Sequence, residues 1–117
     1  MIDDLLTRAH AKGTDTQFRE WVQKQPSCLS GEWSEWLEDL GEWRNPACHV
    51  RRGGKSGTAY KEPFACIPMT QNEHLAQHSQ GEAACLSRFL GGEWTKDEAK
   101  QWFNKQRIRY LILWIES

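Results

Sequence analysis

The stretch from Cys48 to His78 leaves the chain few choices of local structure. It reads Cys48-His49-Val50-Arg51-Arg52, then Gly53-Gly54-Lys55-Ser56-Gly57-Thr58, later Phe64-Ala65-Cys66-Ile67-Pro68-Met69-Thr70, and closes with Glu73-His74 and Gln77-His78. A glycine-rich run of this kind turns a chain back on itself. Ala47 to Arg52 is therefore expected as one strand with Val50 inward, and Phe64 to Met69 as its return. Pro63 and Pro68 limit the ladder of the return strand and favour an edge. Thr70 followed by Glu73 is a capping-box pattern, which opens a helix through His74, Leu75 and His78 to about Gly81. The expected unit is a hairpin leading into a helix.

Helices are expected on either side of it. Leu5, Leu6 and Ala9 fall at helical spacing between Ile2 and Lys12, and Gly13 is a stop signal. Thr14 with Gln17 is a second capping box, and Phe18, Trp21 and Val22 give the following helix one apolar face that ends before Pro26. Between Gly31 and Gly41 the spacing of Trp33, Trp36, Leu37 and Leu40 is that of a short helix. Asn45-Pro46 terminates whatever precedes it. The tripeptide Gly-Glu-Trp occurs at 31, 41 and 92, but the unequal spacing is not that of a structural repeat. Thr95 with Glu98 caps a last helix to about residue 116, whose Ala99, Trp102, Phe103, Tyr110, Leu111 and Trp114 make it a core buttress, with an oligomer contact as its other role.

A chain of 117 residues has the size of one domain, and its seven tryptophans must anchor a core or an interface. No apolar run reaches the length a bilayer requires, and the acidic start Ile2-Asp3-Asp4 is not that of a signal peptide, so a cytoplasmic protein is expected. The four cysteines, Cys28, Cys48, Cys66 and Cys85, form no C-x-x-C pair. A four-cysteine zinc ribbon is thereby excluded, and buried free thiols are expected. The net charge of −1 argues against indiscriminate nucleic-acid binding. Its distribution is uneven, however. Arg44, Arg51, Arg52, Lys55 and Lys61 lie together without an acid, whereas Glu32, Glu35, Glu38, Asp39 and Glu42 gather elsewhere. That pattern fits one focused phosphate site as well as it fits a solvated basic loop.

Residues four apart on a helix stand one above the other, so His74 and His78 can share a metal ion, although two surface histidines would show the same spacing. Glu82 would join them if the helix continued. His49 lies on the first strand, and a neutral imidazole can take a proton from water at neutral pH. A metal on the helix would stabilise charge developing on a phosphodiester, while Arg51, Arg52, Lys55 and Lys61 would hold phosphates.

The ordered set Ala47-Cys48-His49-Val50-Arg51-Arg52, the glycine-rich turn, Lys61-Glu62-Pro63, Ile67-Pro68-Met69-Thr70 and Glu73-His74-x-x-x-His78-x-x-Gly81-Glu82 resembles HNH-type, or ββα-metal, nucleases, and within them phage- and prophage-associated proteins linked to recombination. The resemblance covers roughly residues 26 to 82. It implies a mostly helical α+β domain over residues 1–117. N-terminal helices would occupy 1–25, the ββα-metal motif 47–82 and the buttress helix 95–116. It further implies that His49 is the general base of a DNA endonuclease and that His74 and His78 bind a divalent metal. Many members place a ligating Asp or His before the base, a position held here by Cys48. A thiolate there would favour zinc over magnesium. The family's central Asn has no counterpart near Phe64-Ala65, and Thr70 stands where a cysteine is often found. Cys28-Leu29-Ser30-Gly31 resembles half of a zinc knuckle whose second cysteine has become Ser30. DNA is the implied partner. The small basic patch implies that a recombination protein supplies targeting. Two other readings stay open: a nucleic-acid-binding accessory protein that keeps the scaffold without cleavage, and a protein-interaction module anchored by tryptophans.

Overall fold

The computed structural model describes residues 2–50 and 62–117. In chain order these form α1 (Ile2–Lys12), α2 (Asp15–Gln23), β1 (Glu35–Leu37), β2 (Glu42–Arg44), β3 (Ala47–His49), β4 (Cys66–Pro68), α3 (Gln71–Gln80), α4 (Glu82–Leu90) and α5 (Lys96–Glu116). The architecture is α+β and mostly helical, with two separate two-stranded antiparallel sheets, β1–β2 and β3–β4. No described helix is long and apolar enough to cross a membrane.

The helix starts follow from local chemistry. Thr14, Thr70 and Thr95 each accept from the backbone N–H three residues on, and Gln17, Glu73 and Glu98 reach back to the capping residue's own N–H. Each box satisfies two amide groups that a helix end would otherwise leave unpaired. α3 ends where Gly81 adopts φ 95°, a conformation that favours glycine. A new helix begins at once, so Glu82 opens α4 instead of extending α3.

Residues 33–40 do not form the expected helix. They enter the β1–β2 hairpin, in which Glu35 pairs with Arg44, Trp36 with Trp43 and Leu37 with Glu42. Gly41, at φ 63°, closes the turn and donates to Leu37 O at 2.8 Å. The helical spacing of Trp33, Trp36, Leu37 and Leu40 is outweighed by this left-handed turn and by packing of Trp36 on Trp43 across the strands, with ring centroids 5.4 Å apart.

The β3–β4 pair has the expected partners in a shorter ladder, with Ala47 opposite Pro68, Cys48 opposite Ile67 and His49 opposite Cys66. The return strand is shortened at Phe64, whose φ of 56° is outside the strand region. Its N–H is taken by Asp15 Oδ1 at 2.8 Å, and its ring packs 5.5 Å from that of Phe18. Burial of the whole ring offsets a backbone strain of about 1–2 kcal/mol.

β4 runs between two apolar clusters and is buried throughout. Ile67 and Met69 join Cys48, Val50, Ala76, Cys85, Leu86, Ala99, Phe103 and Tyr110. Phe64 and Cys66 join Ala9, Phe18, Val22, Leu111 and Trp114. α5 contributes to both clusters and so spans the fold, as its aromatic content requires.

Candidate functional site

α3 leaves β4 through the short link Met69-Thr70, and its start is fixed by its capping box and by one buried polar contact to Ser27, between α2 and β1. Ser27 Oγ donates to Glu73 Oε1 at 2.5 Å, and the Thr70 amide donates to the same oxygen at 2.8 Å. Glu73 and Ala76 face the core. His74 and His78 lie on the flank of the helix, His74 half-buried and His78 exposed. Their ring centroids are 4.4 Å apart and nearly perpendicular. Burial, and then the neighbouring His78, hold the His74 pKa below its ordinary 6.5, with Gln77 pulling weakly the other way. His74 is therefore neutral at pH 7, the form in which imidazole binds metal. Its Nδ1 is buried, and the Gln77 side chain hydrogen-bonds the ring. Two imidazoles this close on one helix fit a ligand pair for a borderline metal such as zinc.

The other residues expected at this site are distributed differently. Cys48 is wholly buried in the core cluster that holds Ala76, its Sγ 3.8 Å from Pro46 O. Burial, followed by neighbouring thiols, pushes its pKa well up. Cys48 is a packed thiol on the face of the hairpin that meets α3. The reason is strand alternation: Cys48 and Val50 point into the core, while His49 between them is half-exposed on the opposite face, where Ala47 packs against the other cluster. The structure thus brings His74 and His78 together and sets Cys48 apart from His49. Among the described residues, no group of three or more His, Cys, Asp or Glu side chains is placed to hold a metal ion. Arg51, Arg52, Lys55 and Lys61 lie outside the described residues.

Cys28, expected as the relic of a knuckle or a packed thiol, is a partly buried thiol packed against the same core. Its N–H donates to Pro68 O at 2.9 Å, and burial with the Glu73 carboxylate raises its pKa to about 12. Cys85 is raised to about 11 by the same two causes. All four cysteines are free thiols.

One organising residue has no strong sequence signal. Asn45 is buried and uses its whole amide: Nδ2 donates to Gln25 O at 3.0 Å and Glu32 O at 2.9 Å, and Oδ1 accepts from Ser34 N at 2.8 Å and Ser34 Oγ at 3.1 Å. Ser34 Oγ in turn accepts from the Gln71 amide at the start of α3, at 2.7 Å. The β1–β2 arm is tied in this way to the entrance of the histidine-bearing helix. Between them lies a cleft of about 500 Å³ lined by Gln23, Ser34, Arg44, Asn45, Pro46 and Gln71 among others. Asn before Pro reads in sequence only as a terminator.

Comparison of the chain with protein-family models, curated proteins and solved structures gave no match.

Proposed function

We propose that the chain is a metal-dependent, HNH-like endonuclease that hydrolyses DNA phosphodiesters. In this reading His74 and His78 hold a divalent ion and His49 is the general base. The observation that carries the proposal is the arrangement at α3: two imidazoles with ring centroids 4.4 Å apart on a helix entered directly from the partner strand of the His49-bearing strand. With two imidazole ligands, zinc is favoured over magnesium, which prefers oxygen donors.

A bound ion would supply stabilisation of the charge that builds on the phosphodiester and its leaving oxygen. His49 would take the proton from the attacking water, for which a half-exposed imidazole is suited. Arg51, Arg52, Lys55 and Lys61 would fix the flanking phosphates, and a recombination protein would supply the targeting that so few cations cannot.

The placement of Cys48 and His49 favours a second reading, a nucleic-acid-binding accessory protein that keeps the ββα arrangement without cleaving. Alternation puts His49 on the hairpin face opposite the residues that pack with α3. Metal content measured anaerobically, together with plasmid nicking by the wild type and His49→Ala, separates the two. The nuclease reading requires bound metal and loss of nicking in His49→Ala with DNA affinity unchanged. Nicking at the wild-type rate in His49→Ala removes the base assignment. Affinity without nicking in the wild type supports the accessory reading.

A further inference from the structure

We propose that the β1–β2 hairpin is a docking site for an arginine-bearing segment of a partner protein. Large indole rings are normally mostly buried, yet Trp33, Trp36 and Trp43 are 37%, 47% and 48% exposed. They are not scattered. Trp36 and Trp43 are directly paired across the strands and therefore share one face. Trp33 adds its ring 6.4 Å from that of Trp43. The result is a continuous aromatic surface on an arm whose two strands pack chiefly on each other.

The arm is held ready for a partner. A two-stranded hairpin alone is marginal in water, but this one is tied at its base through Asn45, Ser34 and the α3 entrance, and by Ser27 N donating to Glu32 O at 2.8 Å. The indoles also brace one another, so little conformational freedom remains to be lost on binding.

Charge selects the occupant. Glu38 and Asp39 are exposed beside Trp36 at the turn, while Glu35 and the nearest cation in sequence, Arg44, pair on the opposite face, where Arg44 is engaged by Glu42 at 2.6 Å. Such a surface repels phosphates, which disfavours single-stranded nucleic acid despite the stacking that indoles offer. At the turn, Trp36, Leu37, Glu38, Asp39 and Leu40 line a concavity that joins an indole to two carboxylates, with Leu40 61% exposed at its rim. A guanidinium suits that combination because it stacks on an aromatic face and also donates two parallel N–H groups to a carboxylate. The exposed leucine and the other indoles would cover the apolar side chains that flank it.

The test is calorimetric titration of the full chain with a synthetic peptide alternating arginine and leucine. The same peptide with lysine or glutamate in place of arginine, and oligothymidylate, serve as comparators. The arginine peptide should bind about tenfold or more tighter than the glutamate peptide and about threefold tighter than the lysine peptide. Trp36→Ala should weaken it about fivefold or more. Because loss of an indole can loosen the hairpin, the double variant Glu38→Lys/Asp39→Lys, which keeps every tryptophan, provides the independent arm and should weaken it by a similar factor. Equal binding of the arginine and glutamate peptides, unchanged affinity in both variants, or tighter binding of oligothymidylate would each overturn the proposal. So would concentration-dependent dimerisation of the free chain that Trp36→Ala abolishes, since the occupant would then be a second copy.

Discussion

Replacing Asn45 by alanine tests the connection between the hairpin arm and the body of the protein. Four hydrogen bonds are lost, and at about 1 kcal/mol net for each the ceiling is about 4 kcal/mol. The groups left behind are not all stranded, which lowers that figure. Glu32 O keeps the Ser27 amide at 2.8 Å, and Ser34 N keeps Arg44 O at 3.1 Å, so the Gln25 carbonyl carries most of the penalty of losing its partner. A loss of about 2–3 kcal/mol is expected, corresponding to a Tm lower by roughly 10 °C in a domain of this size. Asn45→Asp should be worse at neutral pH, because a carboxylate oxygen would face the Gln25 and Glu32 carbonyls in place of the donating amide. Urea denaturation of the three proteins at pH 7 gives the comparison directly. A loss below about 1 kcal/mol for the alanine variant, or an aspartate variant as stable as wild type, would refute the assignment of Asn45 as the anchor.

Two further outcomes follow from burial. Cys48, Cys66 and Cys85 are buried, and the Cys28 thiol is held near a pKa of 12, so Ellman's reagent at pH 8 should react slowly with the native chain and release all four equivalents only in guanidinium; rapid reaction of a native thiol would contradict the packing. His74 titrates below 6.5 in the folded chain, so the unfolded chain binds more protons in the window just under that value. Stability should be full above pH 6.5 and fall as the pH drops through the folded value, and His74→Gln should flatten that slope in urea midpoints. A midpoint that rises on acidification through this window would contradict the burial of that ring.

The sequence is most legible where a local rule and the tertiary fold agree. Three Thr-x-x-Gln/Glu boxes mark the starts of α2, α3 and α5, and the aromatic run of α5 marks the helix that both clusters need. The pairing of Ala47–His49 with Cys66–Pro68 follows from strand residues separated by a glycine-rich run and bounded by prolines. Residues 33–40 mislead because their apolar spacing suits a helix, whereas Gly41 at positive φ and the Trp36–Trp43 pair, neither of them a periodic signal, settle a hairpin. The break between α3 and α4 likewise depends on the conformation of Gly81. For the site, the spacing of His74 and His78 is sufficient to place them together. A residue's place in a motif says nothing of which strand face it occupies; alternation assigns Cys48 to the core beside Ala76 and its neighbour His49 to the other face. Asn45 and Ser27 are not distinguishable in sequence from ordinary turn residues, since their roles depend on partners up to 46 positions away.

Whether His74 and His78 hold a metal is decided by zinc binding to the folded chain, measured anaerobically by competition with a chromophoric chelator, for the wild type, His74→Ala, His78→Ala and Cys48→Ala. One equivalent is expected in the wild type, with loss of binding in either histidine variant and retention in Cys48→Ala as long as that variant remains folded. Wild-type affinity in both histidine variants, or no binding by the native chain, would contradict the metal assignment.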